Sequence, residues 1–430
     1  MKNLLAKAHR SLTLRCLRRM LAERTDAHAW HAPVPSRLLY VAASCLPYHI
    51  SGYTTRTHEI LSSLDAAGTD FRVLTRTGYP WDRSDRLGEP QAEASLVEGV
   101  LYGHERQPRN TCFTAVYAAR AAKVVARYAR WYQVARIHAA SNHVNALPAL
   151  IAARRLGIPF QYEIRGLWEL TRASRMPEFE NSPNFYLGLE LEGLVAAHAD
   201  RVFVISEQLG LYAQKHWGIP PERLRLLPNC VDSERIRPDP AISGVPDTVG
   251  YAGSLIRYEG LDTLVEAVHR LARQGKHVRL HIIGEGEARG ELEALTRSLG
   301  LHNHIRFFGR LAPEEARAHL CACSLVCIPR KPFQVCKLVP PIKLVEALAL
   351  GKAVIVPDLP VFRDELGPRP AAFFFRAGDA ASLAETLRHA LHNPAVLEEV
   401  GEQGRRHVLE HRQWRHFTDG IANPTGSDSL

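Results

Sequence analysis

The chain lacks several features that would place its 430 residues in a well-marked class. Its longest uncharged apolar stretches, such as residues 38–46 (LLYVAASCL), fall well short of the ~18–20 residues that a membrane-spanning helix needs. No secretory leader is evident, and the eight cysteines contain no two CxxC pairs. Reduced thiols and a cytoplasmic location are therefore expected rather than a disulfide or zinc framework. The nearest thing to a metal pattern, Cys321-Ala-Cys323-Ser-Leu-Val-Cys327, lies in an apolar run that reads as a buried strand. The chain also has no G-x-G-x-x-G fingerprint with an acid placed for a nicotinamide ribose.

What is present is ordinary for a soluble globular protein: 46% hydrophobic and 23% charged residues. That excludes a wholly disordered or fibrous chain. Lys plus Arg exceed Asp plus Glu by 54 − 45 = 9. Such a balance suits nucleic acid, an anionic membrane or phosphorylated ligands, and selects none of them. The basic residues are spread over loops, with no recognition helix or zinc-finger spacing, so a nucleic-acid partner is not expected. The length predicts two domains.

Residues 1–24 read as a basic amphipathic helix, with seven Lys and Arg and no acid before Glu23. Two readings stand: a peripheral contact with the inner, anionic face of a membrane, or a surface helix packed on its own domain. From Arg37 onward, short apolar strands alternate with helices, and the rhythm resumes after Asn229. This predicts an α/β fold of two doubly wound, Rossmann-like domains with parallel sheets. The expected division is 1–35 for the basic helix and linker, 36–230 for the first domain and 231–395 for the second. Residues 396–430 form a helix and polar tail packing back on the first domain.

In open α/β sheets, ligands sit at the carboxyl ends of strands. Three loops stand out there. In PYHISGYTTR, Gly52 opens a helix whose free amides suit an anion, and a plain turn is the other reading. In GSLIRYEG, Gly253, Ser254 and Arg257 could receive a phosphate, or the segment could simply be a capped helix start. Gly284-Glu-Gly286 could admit a nucleoside base, or form a tight strand-to-helix turn. The third loop, beginning at Pro329, carries Arg330, Lys331, Lys337 and Lys343 before the apolar helix of Glu346. A carboxylate there can accept the two vicinal hydroxyls of a ribose, and the lysines can neutralise a diphosphate.

At this loop PPIKLVEALALGKAVIVPD resembles the C-terminal signature of the family-four retaining glycosyltransferases of the GT-B fold. GYAGSL, EGLDTLVEAV, VRLHIIGEGEARGELEAL and IRFFGRLAPEE follow that family's order. SGYTTRTHEIL and YEIRGLWELTRASR resemble a subgroup associated with bacterial surface-polysaccharide (exosortase-type) loci. The resemblance covers residues 37–410. It implies two Rossmann-like domains facing a cleft, a nucleotide diphosphate sugar as donor, no cofactor, no metal, and a glycan or lipid-linked acceptor. The absence of any Asp-x-Asp agrees with the expectation of no metal.

Carried onto this chain, Glu346 matches the second glutamate of the family's Glu-x7-Glu and would hold the donor ribose. Lys343, Arg257 and amides near Gly253 would stabilise the departing diphosphate, with Ser254, Glu259, Gly284 and Gly286 lining the donor site. Gly52 would bring backbone to the phosphates, and Arg165 and His138 would face the sugar and acceptor. The chain departs from the pattern at the first glutamate, where it has Leu338 after Lys337. Ser254 and Glu259 stand where the wider family has cations, and Arg165 where it has a histidine. A second reading follows from these departures: a catalytically impaired GT-B protein acting as a partner or scaffold. A GT-B nucleotide-sugar epimerase is a third.

Overall fold

The computed structural model describes residues 2–22, 31–83, 92–368 and 371–423. The chain divides into two compact units, 1–228 with 414–430 and 229–413.

In the first unit the predicted apolar runs form parallel strands: β1 (Leu38–Ala42), β2 (Phe71–Thr75), β5 (Arg136–Ala140), β6 (Phe160–Ile164) and β7 (Arg201–Val204). Two strands make a hairpin, β3 (Ala94–Val97) and β4 (Val100–Gly103), and β8 (Leu224–Leu226) closes the far edge. The order is β3-β4-β2-β1-β5-β6-β7-β8, with only β3 antiparallel to its neighbour. All residues of β1, β5 and β6 are buried. That is the burial expected of central parallel strands covered on both faces. Alternation along β6 shows both covers: Glu163 meets Arg56 of the helix Gly52–Ala66, and Tyr162 meets Glu192 of the helix Pro183–His198.

The second unit holds β9 (Val245–Ala252), β10 (Arg279–Ile283), β11 (Ile305–Gly309), β12 (Cys323–Cys327), β13 (Val354–Pro357) and β14 (Phe373–Phe375). Their order is β11-β10-β9-β12-β13-β14, parallel throughout. Its core gathers Val249 and Tyr251 of β9, Leu264 and Val268 of the helix Leu261–Arg273, and Leu383 and Leu387 of the helix Ala380–His392. The strand order reverses between β1 and β5 in one unit and between β9 and β12 in the other. Ligands gather in open sheets at such reversals.

One expectation is corrected. The helix Pro394–His411 stays with the second unit, against the helix Ile342–Ala349, with Arg405 donating to the Ala349 carbonyl. The return to the first unit begins at Trp414 rather than 396. At the other end, the helix Lys2–Ala22 is packed on its own unit. Leu14, Leu17 and Leu21 are buried, and Arg10 pairs with Glu190 of the helix Pro183–His198. This is the packed-helix reading for these three leucines, while Leu12 is 60% exposed. No described helix is long and apolar enough to cross a membrane. All eight cysteines are free thiols, and Cys323 and Cys327 are buried in β12.

Candidate functional site

In the second unit, the loop after β9 turns sharply at Gly253, whose φ is +150°. It is laced to the loop after β10. Gly253 N–H donates to Ile283 O at 2.9 Å, and Leu255 N–H to Glu285 O at 2.9 Å. A Cβ on Gly284, itself at φ +134°, would stand 1.9 Å from Gly253 O. A Cβ on Gly286 would stand 2.3 Å from Leu255 O. These two glycines therefore serve backbone packing, which is the tight-turn reading, and the Gly253 and Leu255 amides are already engaged.

Beside this loop lies a buried charge network. Glu259 is 3% exposed. It accepts from Arg330 Nη2 at 2.9 Å and from Lys343 Nζ at 2.8 Å. Lys343 Nζ also donates to the Tyr251 hydroxyl at 2.7 Å, and that hydroxyl donates to Ser254 O at 2.9 Å. A Cβ at Gly253 would come within 2.7 Å of Lys343 Nζ, so the glycine leaves the space the ammonium occupies. Burial alone would raise the Glu259 carboxyl, but Arg330 and Lys343 outweigh it and hold it down at about 2. Burial lowers the Lys343 ammonium from its ordinary value, opposed by Glu259. Glu259 is thus no ligand for a donor: it fixes two cations. Arg330 supplies a positive charge that the altered positions 254 and 259 do not.

Glu346 sits one turn beyond Lys343 on the helix Ile342–Ala349. It is partly exposed, and among the described residues its carboxylate has no hydrogen bond or ion pair. Burial raises its proton affinity, with Arg317, Lys343 and Arg235 opposing. It is the uncommitted carboxylate of this group, next to a helix start without a side-chain cap. Leu338 is buried on the short helix Gln334–Leu338. Ser254 is exposed. Arg257 points elsewhere, pairing at the surface with Glu291 at 2.5 Å. With Lys331 and Asp262 it lines a separate pocket of about 170 Å³. The expected joint action of Arg257 with Lys343 is corrected accordingly.

In the first unit, Gly52 is the exposed first residue of its helix, and Ser51 and Thr54 form a capping box across that start. Arg165 and His138, expected to face the sugar and acceptor, are buried. Glu163 is fully buried on β6 and gathers both. It accepts from Arg56 Nε at 3.0 Å and Nη2 at 2.9 Å, from Arg165 Nη2 at 2.8 Å and from the Tyr40 hydroxyl at 3.0 Å. His138 Nε2 lies 3.4 Å from it, and the other ring nitrogen meets Gln161. Arg165 also donates to Tyr53 O at 3.1 Å and Thr57 Oγ1 at 2.6 Å, with its guanidinium 4.3 Å over the Tyr53 ring. Side chains two apart on a strand share a face, so Glu163 draws Arg165 inward. Arg165 thereby braces the start of the helix at Gly52, and His138 sits behind Glu163.

Comparison with known proteins agrees with this architecture. Residues 232–407 match the family described as glycosyl transferases group 1, and residues 51–230 match the glycosyl transferase 4-like domain. Between them the two matches take in most of both units. The second unit is thus similar to the group 1 glycosyl transferases, and most of the first to the glycosyl transferase 4-like domain. Among curated relatives it is similar to an MMP alpha-(1->4)-mannosyltransferase of Mycolicibacterium hassiacum, 25% identical over 54% of this chain and 55% of that one. It is also similar to a phosphatidyl-myo-inositol mannosyltransferase of Mycobacterium leprae, 30% identical over 40% of this chain and 45% of the relative. The chain thus spans about half the length of these relatives. Among solved structures, sucrose-phosphate synthase from Thermosynechococcus elongatus superposes with a TM-score of 0.72 at 17% identity, covering 90% of this chain and 98% of the other. Anabaena Alr3699/HepE in complex with UDP-glucose gives 0.66 at 18%, covering 90% and 98%. At these identities the structures establish the GT-B fold.

Proposed function

We propose that this chain is a retaining, metal-independent glycosyltransferase that moves a sugar from a nucleotide diphosphate sugar to a glycan or lipid-linked acceptor in cell-surface polysaccharide synthesis. The observation that carries the reading is the arrangement at the β9/β12 reversal. There Lys343 is braced by Glu259 and Tyr251, and the unpartnered Glu346 lies one turn away. Cleaving the anomeric C–O bond leaves negative charge on the diphosphate and cationic character on the sugar. A fixed ammonium lowers that barrier. The helix start at Ile342 adds backbone amides of the same polarity. Glu346 accepts the ribose hydroxyls. Position 338 offers no carboxylate, so the departing phosphate takes the acceptor's proton as the new C–O bond forms on the same face. The acceptor reading rests on the phosphatidyl-myo-inositol mannosyltransferase relative, and the donor reading on the UDP-glucose complex of the structural neighbour.

A thermal-shift and donor-hydrolysis screen of the purified chain against nucleotide diphosphate sugars tests this. One donor is expected to raise the melting temperature clearly, and Glu346→Ala is expected to reduce the shift by an order of magnitude in apparent affinity, about 1.4 kcal/mol. A well-folded sample with no shift from any donor overturns the reading.

The same proposal includes peripheral membrane contact through the helix Lys2–Ala22. Its buried leucines leave an exposed face with Lys7, Leu12, Arg15 and Arg18, so the contact is electrostatic rather than insertional. Co-sedimentation with phosphatidylglycerol vesicles, weakening as salt rises, is expected, and none with phosphatidylcholine. Unchanged sedimentation after Lys7, Arg15 and Arg18 are replaced by Glu rejects it.

A further inference from the structure

One buried polar cluster in the first unit takes no part in the Glu163 network. His143 is the first residue of the helix His143–Leu156, Glu169 the second of the helix Trp168–Arg175, and Glu192 lies in the helix Pro183–His198. They are 9%, 6% and 0% exposed. Each offers one ligand-type atom, and these atoms all lie within 4.8 Å of one another. His143 Nδ1 is 2.9 Å from Glu192 Oε1 and 4.0 Å from Glu169 Oε1. Glu192 is otherwise satisfied by the His143 amide at 2.7 Å and the Tyr162 hydroxyl. Glu169 is not: its Oε2 is buried with no hydrogen-bond partner. Among the described residues, neither carboxylate is paired with a Lys or Arg.

From this we infer that His143, Glu169 and Glu192 bind one divalent transition-metal cation, with Zn²⁺ the best match. With His143 neutral, as a metal ligand must be, the two carboxylates carry a charge of −2, which a dication cancels. Without a metal, burial works against it but Glu192 and Glu169 raise the proton affinity of His143, so an imidazolium balances at most one of the two, and a second uncompensated buried carboxylate is costly. One nitrogen and oxygen ligands suit Zn²⁺, and Mn²⁺ or Fe²⁺ less tightly by the usual affinity order. Zinc–ligand bonds of about 2.0–2.2 Å call for only a small closing of side chains that already converge. The orphaned Glu169 oxygen gains its partner, and a water completes the coordination. The cation fastens the first turns of the helices that follow β5 and β6 to the helix Pro183–His198. That holds the segment after β6 on which Arg165 and the exposed Trp168 lie. Its role is structural and stands apart from the donor site.

The rival occupant is a proton. Burial and the neighbouring Glu192 push the Glu169 carboxyl up to about 7. His143, Glu192, Tyr162 and Tyr212 are the other titratable groups around it. The full chain is dialysed against chelator, and zinc, manganese or magnesium chloride is then titrated while heat and melting temperature are followed. Zn²⁺ is expected to bind at one cation per chain and raise the melting temperature, Mg²⁺ to do neither, and Glu169→Gln to abolish the shift. X-ray absorption of the zinc-loaded wild type keeps the test open if that variant fails to fold. Imidazole and oxygen ligands support the site, and sulfur ligands overturn it. Equal zinc binding by wild type and Glu169→Gln also overturns it, as adventitious. So does an absence of binding, with stability that falls as pH rises from about 4.5 to about 7 in wild type and not in the variant, because Glu169 then holds a proton.

Discussion

Glu163→Ala is expected to destabilise the first unit by about 3–5 kcal/mol, the cost of removing one partner from a buried ion pair. The side chain is fully buried and bridges Arg56 and Arg165. Without it, two guanidinium groups remain inside with no counter-charge. Arg56 still donates to Leu227 O and Pro228 O, both at 2.6 Å, yet carbonyl oxygens do not neutralise it. Against a total stability of about 5–15 kcal/mol for a domain, the loss is large. Denaturant unfolding followed by near-ultraviolet circular dichroism reads it, with two transitions resolved for two units. Glu163→Gln keeps the volume and one acceptor and should lose less. The pH dependence has a definite sign. Burial would raise the Glu163 carboxyl, but Arg165 and Arg56 bring it well below the usual carboxylate range. Its contribution is present above the unfolded value of about 4.5 and is lost as pH falls below that. A wild-type unfolding midpoint that Glu163→Ala leaves unmoved rejects the account.

Glu163 also shows where sequence reading stops. The segment FQYEIRG announces a buried strand, and β6 forms there. A glutamate inside such a strand demands a partner, and that much is legible. Which cations answer is not: Arg165 is two residues away, whereas Arg56 lies on another helix more than a hundred residues earlier. The alternation of apolar strands and helices revealed both doubly wound sheets because central parallel strands are uniformly apolar. It passed over the β3–β4 hairpin because both strands are only four residues long and the edge is open to solvent. Leu96 and Leu101 are 71% and 59% exposed, and the only local mark is the turn Glu98-Gly99, both at positive φ, as a two-residue hairpin requires. At the β9/β12 reversal, Lys343 and Glu346 share one helix and lie within the stretch PPIKLVEALALGK that carries the family resemblance. Arg330 was visible only as one of several loop cations. Its tie to Glu259 spans two separate loops that meet at the strand reversal. His143, Glu169 and Glu192 come from three helices, with no spacing to connect them.

The sharpest separation of structure from chemistry comes at Lys343. Lys343→Met is expected to lower kcat by about 10²–10³-fold, the usual effect of deleting one donor to a developing anion, with little change in folding stability. Methionine fills the same channel beside Gly253. Glu259 keeps Arg330, whose Nη2 and Nε both reach it, at 2.9 and 3.3 Å. The Tyr251 hydroxyl keeps Ser254 O. Nothing buried is left charged and alone, so the fold tolerates the change while the diphosphate loses its ammonium. Glu259→Gln should do the reverse. It leaves Arg330 and Lys343 as neighbouring buried cations, whose mutual repulsion destabilises the second unit. It also removes the interaction that props up the Lys343 ammonium against burial, so the protonated form is lost at lower pH and the alkaline limb of the kcat profile moves down. Measuring kcat, KM and unfolding for both variants distinguishes the roles. If Lys343→Met retains full kcat, the network is scaffolding around Tyr251 and the phosphate-stabilising role fails. If Glu259→Gln leaves the alkaline limb in place, Glu259 braces Arg330 alone.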